Sequence, residues 1–404
     1  MSEDQGSSTA ATASRTASSV HDINAEKPPF GARFLTDDAD VWSQNAWDHV
    51  PPPDDQGEII AASLAKQRVA PVPDDDKPKY NDRPSRHWDN FYKTNTSNFF
   101  KNRKWLQIEF PELVQATEPE AGPMTIAEIG CGAGNAVFPL LESNQNKQLS
   151  LRAFDYSAQA VKLVQSNPLY INPPVGTINS AVWDLTSMDA LPPGVEPSSV
   201  DIVILVFVMS ALHPDEWGCA LANINTILKP GGRVLFRDYG RHDLTQLRFK
   251  AGRLLDDNFY IRGDKTRVYF FELDELALLF TGSIVPSAQE IFETTKVTED
   301  ADVDADANPA SSPTTLVATT STSEATPPEN LNIGDLNIGI SDVPHLLPSP
   351  SSIHPNLSAP LTDCPPHPLF AIEKLGVDRR LIVNRKRQLK MYRVWMQGKF
   401  VKLA

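Results

Sequence analysis

The sequence predicts an α/β fold: a mostly parallel sheet with helices on both faces, closed at one edge by an antiparallel hairpin. Three observations predict it. From Ile126 short apolar runs alternate with amphipathic stretches, the first run turns through closely spaced glycines, and two long strand-like segments end the chain.

The apolar runs are TIAEIG, LRAFDYS, INSAVWDL, DIVILVFVMSAL and GRVLFRDYG. Each is short enough for a strand, and the stretches between them carry helical spacing. LKPGG reads as a helix exit, and FELDELALLF as a further helix. FAIEKLGVDRRLIVN and QLKMYRVWMQGKFV then read as the closing hairpin. Residues 121–284 and 366–404 are accordingly expected to form two parts of one domain.

Ahead of it, residues 1–29 are polar and expected to be a disordered tail. Residues 30–120 are expected to be a helical, aromatic-rich element that binds substrate. In it Phe34, Trp42 and Trp47 recur at roughly helical spacing before Pro51–Pro53, a polar linker runs to about Pro78, and RHWDNFYKTNTSNFFKNRKWLQIEF supplies one or two helices. Residues 285–365 are dense in Ser, Thr, Pro and acids, and are expected to be a disordered insertion.

That insertion distorts the charge balance. The net charge of -14 argues at first against nucleic acid, but Ser287 to Pro366 holds 12 Asp/Glu against one Lys and supplies -11 of it. Basic segments elsewhere are free to meet an anion. Cys131, Cys219 and Cys364 show no CxxC spacing, so neither a disulfide framework nor a metal site is expected, and a reducing, cytoplasmic setting fits. The apolar run Ile202 to Leu212 is too short to span a bilayer, and Glu3, Asp4 and a lone Arg15 argue against a transit peptide. No membrane association is expected.

The strongest local signal is Glu128-Ile-Gly130-Cys-Gly132-Ala-Gly134-Asn135 at the first strand-to-helix turn. Glycines let a ligand approach the backbone closely. The spacing departs from the GxGxxG of dinucleotide folds and has the ExGxGxG form of S-adenosylmethionine enzymes. Asp155 ends the second strand and is expected to accept both ribose hydroxyls, while Asp184 and Leu185, ending the third, are expected to meet the adenine. Both acids also suit ordinary helix caps. Leu205 and Val206 are expected to wall the pocket, and Trp88 and Tyr92, four apart on one helix face, to present rings to the sulfonium cation. Glu128 is expected to bind cofactor or to orient the loop.

Amino-methylating enzymes of this fold often carry an Asn/Asp-Pro-Pro-aromatic tetrapeptide after the fourth strand. Here that strand continues VFVMSALHPDEW, and Asn172-Pro173-Pro174-Val175 precedes the third strand, where it reads as a turn. His213 reads as a loop residue.

Longer segments carry a more specific likeness. FGARFLTDDADVWSQNAWDHV, HWDNFYKTNTSNFFKNRKWL, EIGCGAGNAVFPLL, FDYSAQAVKLVQ, ILVFVMSALHPDEW, LKPGGRVLFRDYGRHDLTQLRFK, NFYIRGDKTRVYFF and DRRLIVNRKRQLKMYRVWMQ together resemble the tRNA N3-methylcytidine methyltransferases, threonine-tRNA branch. The resemblance implies a Rossmann-like class I methyltransferase with a seven-stranded sheet, S-adenosylmethionine as cofactor, and methylation of cytidine at position 32 in the anticodon loop of tRNA-Thr. A synthetase or accessory protein is compatible with it as a partner.

Neutral cytosine presents a lone pair at N3, so attack needs positioning and no obligatory base. The product is cationic, and Asp238 is the candidate carboxylate to favour the developing charge, or else a structural partner of Arg237 or Arg241. Arg103, Lys104, Arg237, Arg241, Arg248, Lys250, Arg253, Arg262 and Arg267 are expected to rim the strand-end face and meet phosphates, with Arg379, Arg380, Arg385, Lys386 and Arg387 adding charge by the hairpin. Two other readings stand beside this one: an idle scaffold that binds RNA or a partner, and a methyltransferase for small molecules or proteins.

Overall fold

The computed structural model describes residues 33–284, apart from Asp54 and Asn98, and residues 353–404. The expected tail over 1–29 and most of the expected insertion, 285–352, lie outside the described residues.

Eight strands form the main sheet: β1 (Ala46–Asp48), β2 (Met124–Ile129), β3 (Leu149–Asp155), β4 (Thr177–Val182), β5 (Val200–Val206), β6 (Leu228–Tyr239), β10 (Phe370–Asn384) and β11 (Leu389–Lys402). A separate antiparallel meander holds β7 (Leu254–Asp256), β8 (Phe259–Ile261) and β9 (Arg267–Tyr269). The main sheet runs in the order β1-β10-β11-β6-β5-β2-β3-β4. Strands β2 to β6 are parallel, and β11, β10 and β1 extend the sheet antiparallel from β6. Because β2 pairs with β3 on one side and β5 on the other, the strand order reverses between β2 and β5. In such sheets ligands gather at the carboxyl ends beside the reversal.

The central strands are apolar on both faces because both are covered. One face carries Val137, Phe138 and Leu141 of the Val137–Ser143 helix with Phe110 and Leu113; the other carries Trp217, Leu221, Ile224, Leu276 and Phe280. The Ala158–Gln165 helix starts where Ser157 Oγ accepts the Ala160 amide. The Leu273–Thr281 helix starts in a Glu272/Glu275 capping box and stops at Gly282, with φ +74°.

Four sequence expectations differ from what is observed. Phe34, Trp42 and Trp47 do not share a helix: a short 3-10 turn over Val41–Ser43 leads into β1, which makes the sheet eight-stranded. Strand pairing wins because it satisfies the free edge of β10 and buries Trp47 against Leu381 and Val383. The polar linker contains a helix, Gln56–Val69, which lacks a continuous apolar stripe; Val69 is 85% exposed and only Leu64 and Gln67 are buried. Gln67 holds it down by donating to the carbonyls of Gln246 and Phe249. The helix expected to exit through LKPGG ends earlier, at Ile227, and that stretch opens β6. Finally, residues 353–365, expected within the insertion, pack on the domain: the His354 amide donates to Glu275, Leu357 is buried, and the Thr362 carbonyl lies so near Gly218 that a Cβ there would be 1.9 Å away. No helix among the described residues is long and apolar enough to cross a membrane.

Candidate active site

A cavity of about 360 Å³ opens at the carboxyl ends of β2, β3, β5 and β6. Of the glycine turn after β2, Gly130 lines it, whereas Gly132 and Gly134 do not. Gly130 and Gly132 have φ of +66° and +54°, and each is closely covered: an added Cβ would fall 2.5 Å from Val208 Cγ2 and 2.4 Å from the Tyr92 hydroxyl. Gly134 packs on Phe138, the first turn of the helix that follows.

Glu128 lies beneath this turn and does not line the cavity. Its Oε2 accepts the Val137 amide at 3.0 Å, so it orients the loop, the second of its two expected roles. Burial pushes its carboxyl up to about 8, against the pull of Arg103. Asn135 also works from behind: its side chain donates to the Phe100 carbonyl at 3.1 Å, and its own carbonyl accepts the Arg103 amide at 2.8 Å. These bonds tie the 99–104 segment to the glycine turn.

Asp155, 5% exposed, lines the cavity at the end of β3. Its Oδ2 accepts the Gly132 amide at 2.9 Å and its Oδ1 the Ser157 amide at 2.8 Å. Each oxygen keeps acceptor capacity for a ligand. Burial raises its carboxyl to about 6, opposed by these two amide bonds. Asp184 also lines the cavity, but its Oδ1 closes its own turn by accepting from the Thr186 amide and hydroxyl at 2.9 and 2.8 Å. Its neighbour Leu185 is buried in the wall.

Leu205 is not in the wall. It is buried in the core on one face of β5, whereas Val206, facing the other way, lines the cavity with Val208. Tyr156 and Trp183, next to the two acids, line it as well; the sequence reading missed them. The Tyr156 hydroxyl is buried with no hydrogen-bond partner among the described residues.

Trp88 and Tyr92 both face the cavity, stacked with ring centroids 6.0 Å apart. Their helix, Pro84–Asn95, is latched to the domain through Asp89, whose Oδ1 accepts the Ser157 hydroxyl at 2.7 Å and the Gln159 amide at 3.1 Å. Phe91, Phe99 and Phe100 complete an aromatic wall.

Of the cations expected at the rim, Arg103, Arg248 and Arg262 line the cavity. Lys104 is exposed and does not. Arg237, Arg241 and Arg267 are buried and committed to carboxylates: Arg237 to Asp378 at 2.6 Å, Arg241 to Glu272 at 2.9 Å, Arg267 to Glu216 at 3.0 Å. Arg237 is further enclosed between the rings of Trp105 and Trp395, at 4.7 and 4.6 Å. A cation so enclosed cannot reach a phosphate, and these three are corrected to structural roles. The hairpin's Arg380 is held among Asp48, Glu109 and Asp378, while Arg385, Lys386 and Arg387 are exposed. Arg393, absent from the sequence expectation, lines the cavity while paired with Asp243 at 2.9 Å.

Asp238 is corrected too. It is fully buried and outside the cavity wall; its carboxylate accepts the Ser210 amide at 3.0 Å and the Tyr239 amide at 2.8 Å. Burial raises it to about 6. It acts from behind Ser210 and Tyr239, which do line the cavity. His213 caps the Pro214–Glu216 turn by accepting the Asp215 amide at 3.3 Å, a loop role as expected, and the Val175 carbonyl is held by Asn144.

The end of the cavity beside the strand reversal offers the Gly130 backbone, a buried carboxylate with open acceptor sites, and flat apolar walls from Trp183, Leu185 and Val206. These residues fit the nucleoside part of S-adenosylmethionine.

Comparison with known proteins agrees with this geometry. Residues 127–234 match the methyltransferase domain family. The chain is similar to the tRNA(Thr) (cytosine(32)-N(3))-methyltransferase of Saccharomyces cerevisiae, 41% identical over 372 residues, covering 92% of this chain and 45% of that protein. It is 37% identical over 373 residues to a tRNA N(3)-methylcytidine methyltransferase of Schizosaccharomyces pombe, covering 92% of both. A tRNA N(3)-cytidine methyltransferase of Danio rerio is 38% identical over 298 residues, covering 66% of this chain and 83% of that one. The chain thus spans less than half the length of the Saccharomyces relative and nearly all of the Schizosaccharomyces one. With a Rossmann-like class I methyltransferase fold built around this cavity, the chain belongs to the tRNA N3-methylcytidine methyltransferase family.

Proposed function

We propose that the protein transfers a methyl group from S-adenosylmethionine to N3 of cytidine 32 in the anticodon loop of tRNA-Thr. The observation that carries the N3-methylcytidine reading is the 37% identity that extends over 92% of both this chain and the Schizosaccharomyces relative; position 32 and tRNA-Thr are supported by the 41% identity to the Saccharomyces relative.

S-adenosylmethionine supplies, when bound, an electrophilic methyl on a sulfonium. Asp155 would hold the ribose hydroxyls, with Trp183, Asp184 and Leu185 at the adenine and the Trp88 and Tyr92 rings facing the cation. Gly130 would lie against the donor, Gly132 and Gly134 let Tyr92 and Phe138 pack close on the turn, and Glu128 and Asn135 hold that turn in shape. Cytosine N3 carries its own lone pair, so the chain must position the base and exclude water; no side chain has to remove a proton first. A loop nucleotide is cheap to extrude into such a cavity. Arg103, Arg248 and Arg262 would meet the phosphates beside it. Asp238 would order the Ser210 and Tyr239 backbone under the base.

We also place the activity in the cytoplasm and read residues 1–29 and the acidic stretch after 284 as lying apart from catalysis; the residue composition of both segments supports this. A synthetase or accessory protein as partner is part of the same proposal. The test is nucleoside analysis of tRNA-Thr transcripts incubated with the purified protein and S-adenosylmethionine. N3-methylcytidine should form, and should vanish when C32 is replaced by U. Binding of the donor with no methylation of any tRNA would favour an idle scaffold instead.

A further inference from the structure

Phe207 holds a backbone conformation that its residue type disfavours. It follows the last residue of β5 and has φ +60°, in the left-handed region, where a bulky aromatic is an outlier. The turn does not free it from the sheet, because its amide still donates to the Arg237 carbonyl at 2.8 Å. Strain of this kind persists where the surroundings fix it, and it clusters at working sites.

The strained turn puts the ring in the cavity wall, between Val206 and Val208, which line it too. Val208 lies against Gly130 of the cofactor turn. On its other side the ring meets Tyr239, from the end of the adjacent strand β6, with centroids 4.7 Å apart and planes tilted by 39°. Each ring carries a guanidinium: Arg103 is 5.4 Å from the Phe207 centroid and Arg262 is 5.2 Å from that of Tyr239. These two rings and two guanidinium groups line the cavity next to the cofactor turn, where a flat heterocycle whose phosphates reach outward would enter.

We infer that Phe207, with Tyr239 beside it, is the platform on which the extruded target base stacks, and that the strained backbone is what presents its ring. The inference rests on the proposed methylation of an RNA base and adds the residue that positions it. The π face also suits a base that gains positive charge as the methyl is transferred.

Phe207→Gly and Phe207→Tyr test it together. Glycine adopts this φ without strain, which offsets part of the packing lost with the ring, and a denaturant midpoint shows that the first variant is folded under assay conditions; the second keeps the ring. Single-turnover formation of N3-methylcytidine in a tRNA-Thr transcript should slow about 10- to 100-fold in Phe207→Gly. Affinities for S-adenosylhomocysteine and for the transcript should stay as in the parent, since phosphate contacts set the latter. Phe207→Tyr should recover most of the rate. The inference falls if Phe207→Gly methylates at the parent rate, if it loses S-adenosylhomocysteine binding in parallel, or if Phe207→Tyr is as slow as the glycine variant. A parent protein that binds S-adenosylhomocysteine but methylates no tRNA would instead overturn the functional reading, and the platform with it.

Discussion

Asp155 Oδ2 accepts the Gly132 amide at 2.9 Å, so the acid that ends β3 and the turn that follows β2 are one unit. The same carboxylate fixes the Ser157 amide, and Ser157 in turn donates to Asp89 on the helix carrying Trp88 and Tyr92. Removing the Asp155 side chain should therefore loosen the turn and the aromatic wall as well as delete a ligand contact. With hydrogen bonds to charged groups contributing about 1.5–3 kcal/mol each, Asp155→Ala should weaken S-adenosylhomocysteine at least about 100-fold by calorimetry. Unchanged affinity would remove this acid from the site. Because the carboxyl titrates near about 6, parent affinity should also fall as pH drops below that value, where the acceptor is lost.

Glu128 offers a stability test with a defined sign. Its folded value, about 8, stands above the ordinary 4.5, so its favourable contribution is full below about pH 4.5 and is lost as pH rises through 8. Across that window each pH unit changes its contribution by up to about 1.4 kcal/mol. Glu128→Gln keeps an acceptor for the Val137 amide and removes the titration. Urea midpoints taken at pH 5.5 and 8.5 should show the variant gaining on the parent at the higher pH; parallel midpoints would mean the carboxyl is ionised throughout.

Gly132→Ala should be poorly tolerated, since its Cβ would meet the Tyr92 hydroxyl at 2.4 Å and its φ of +54° is itself costly for alanine. Adding Tyr92→Phe removes the clashing atom and leaves the backbone cost. The double variant should thus regain part of the lost thermal stability, a coupling of about 0.5–3 kcal/mol in a double-mutant cycle. Strict additivity would show that the two residues do not touch.

The cations should separate into two groups by salt dependence. Arg248→Gln and Arg262→Gln should each lower the slope of log affinity for tRNA against log salt by about 0.7–0.9. Asp378→Asn leaves Arg237 buried without its partner and should cost about 3–5 kcal/mol of stability with the slope of the folded protein unchanged. Filter binding at several salt concentrations, beside denaturant titration, reads both. A slope that responds to Asp378→Asn and not to Arg262→Gln would reverse the assignment.

The sequence made local features plain and left non-local ones hidden. The central strands, the glycine turn and Asp155 are legible because apolar runs, positive-φ glycines and strand-end acids are short-range signals. Leu205 and Val206 could not be told apart, since VDIVILV is apolar on both faces and its phase is set by what packs on each side. Arg237, Arg241 and Arg267 read as surface cations because Asp378, Glu272 and Glu216 reach them only once the chain has folded back. The Gln56–Val69 helix escaped notice for want of an apolar stripe, although its composition favours helix. Phe207 carried no signal at all: nothing in VFVMS announces a left-handed backbone.

The pairing of β1 with β10 joins Trp47 to Leu381, partners more than 300 residues apart. At ribosomal speeds of roughly 5–20 residues per second, the early strand must wait on the order of half a minute for its mate to be made. Until then the tryptophan and the rim of β6 stay uncovered, so a nascent chain is exposed to mispairing for most of its synthesis, and such long-range closure makes for slow folding.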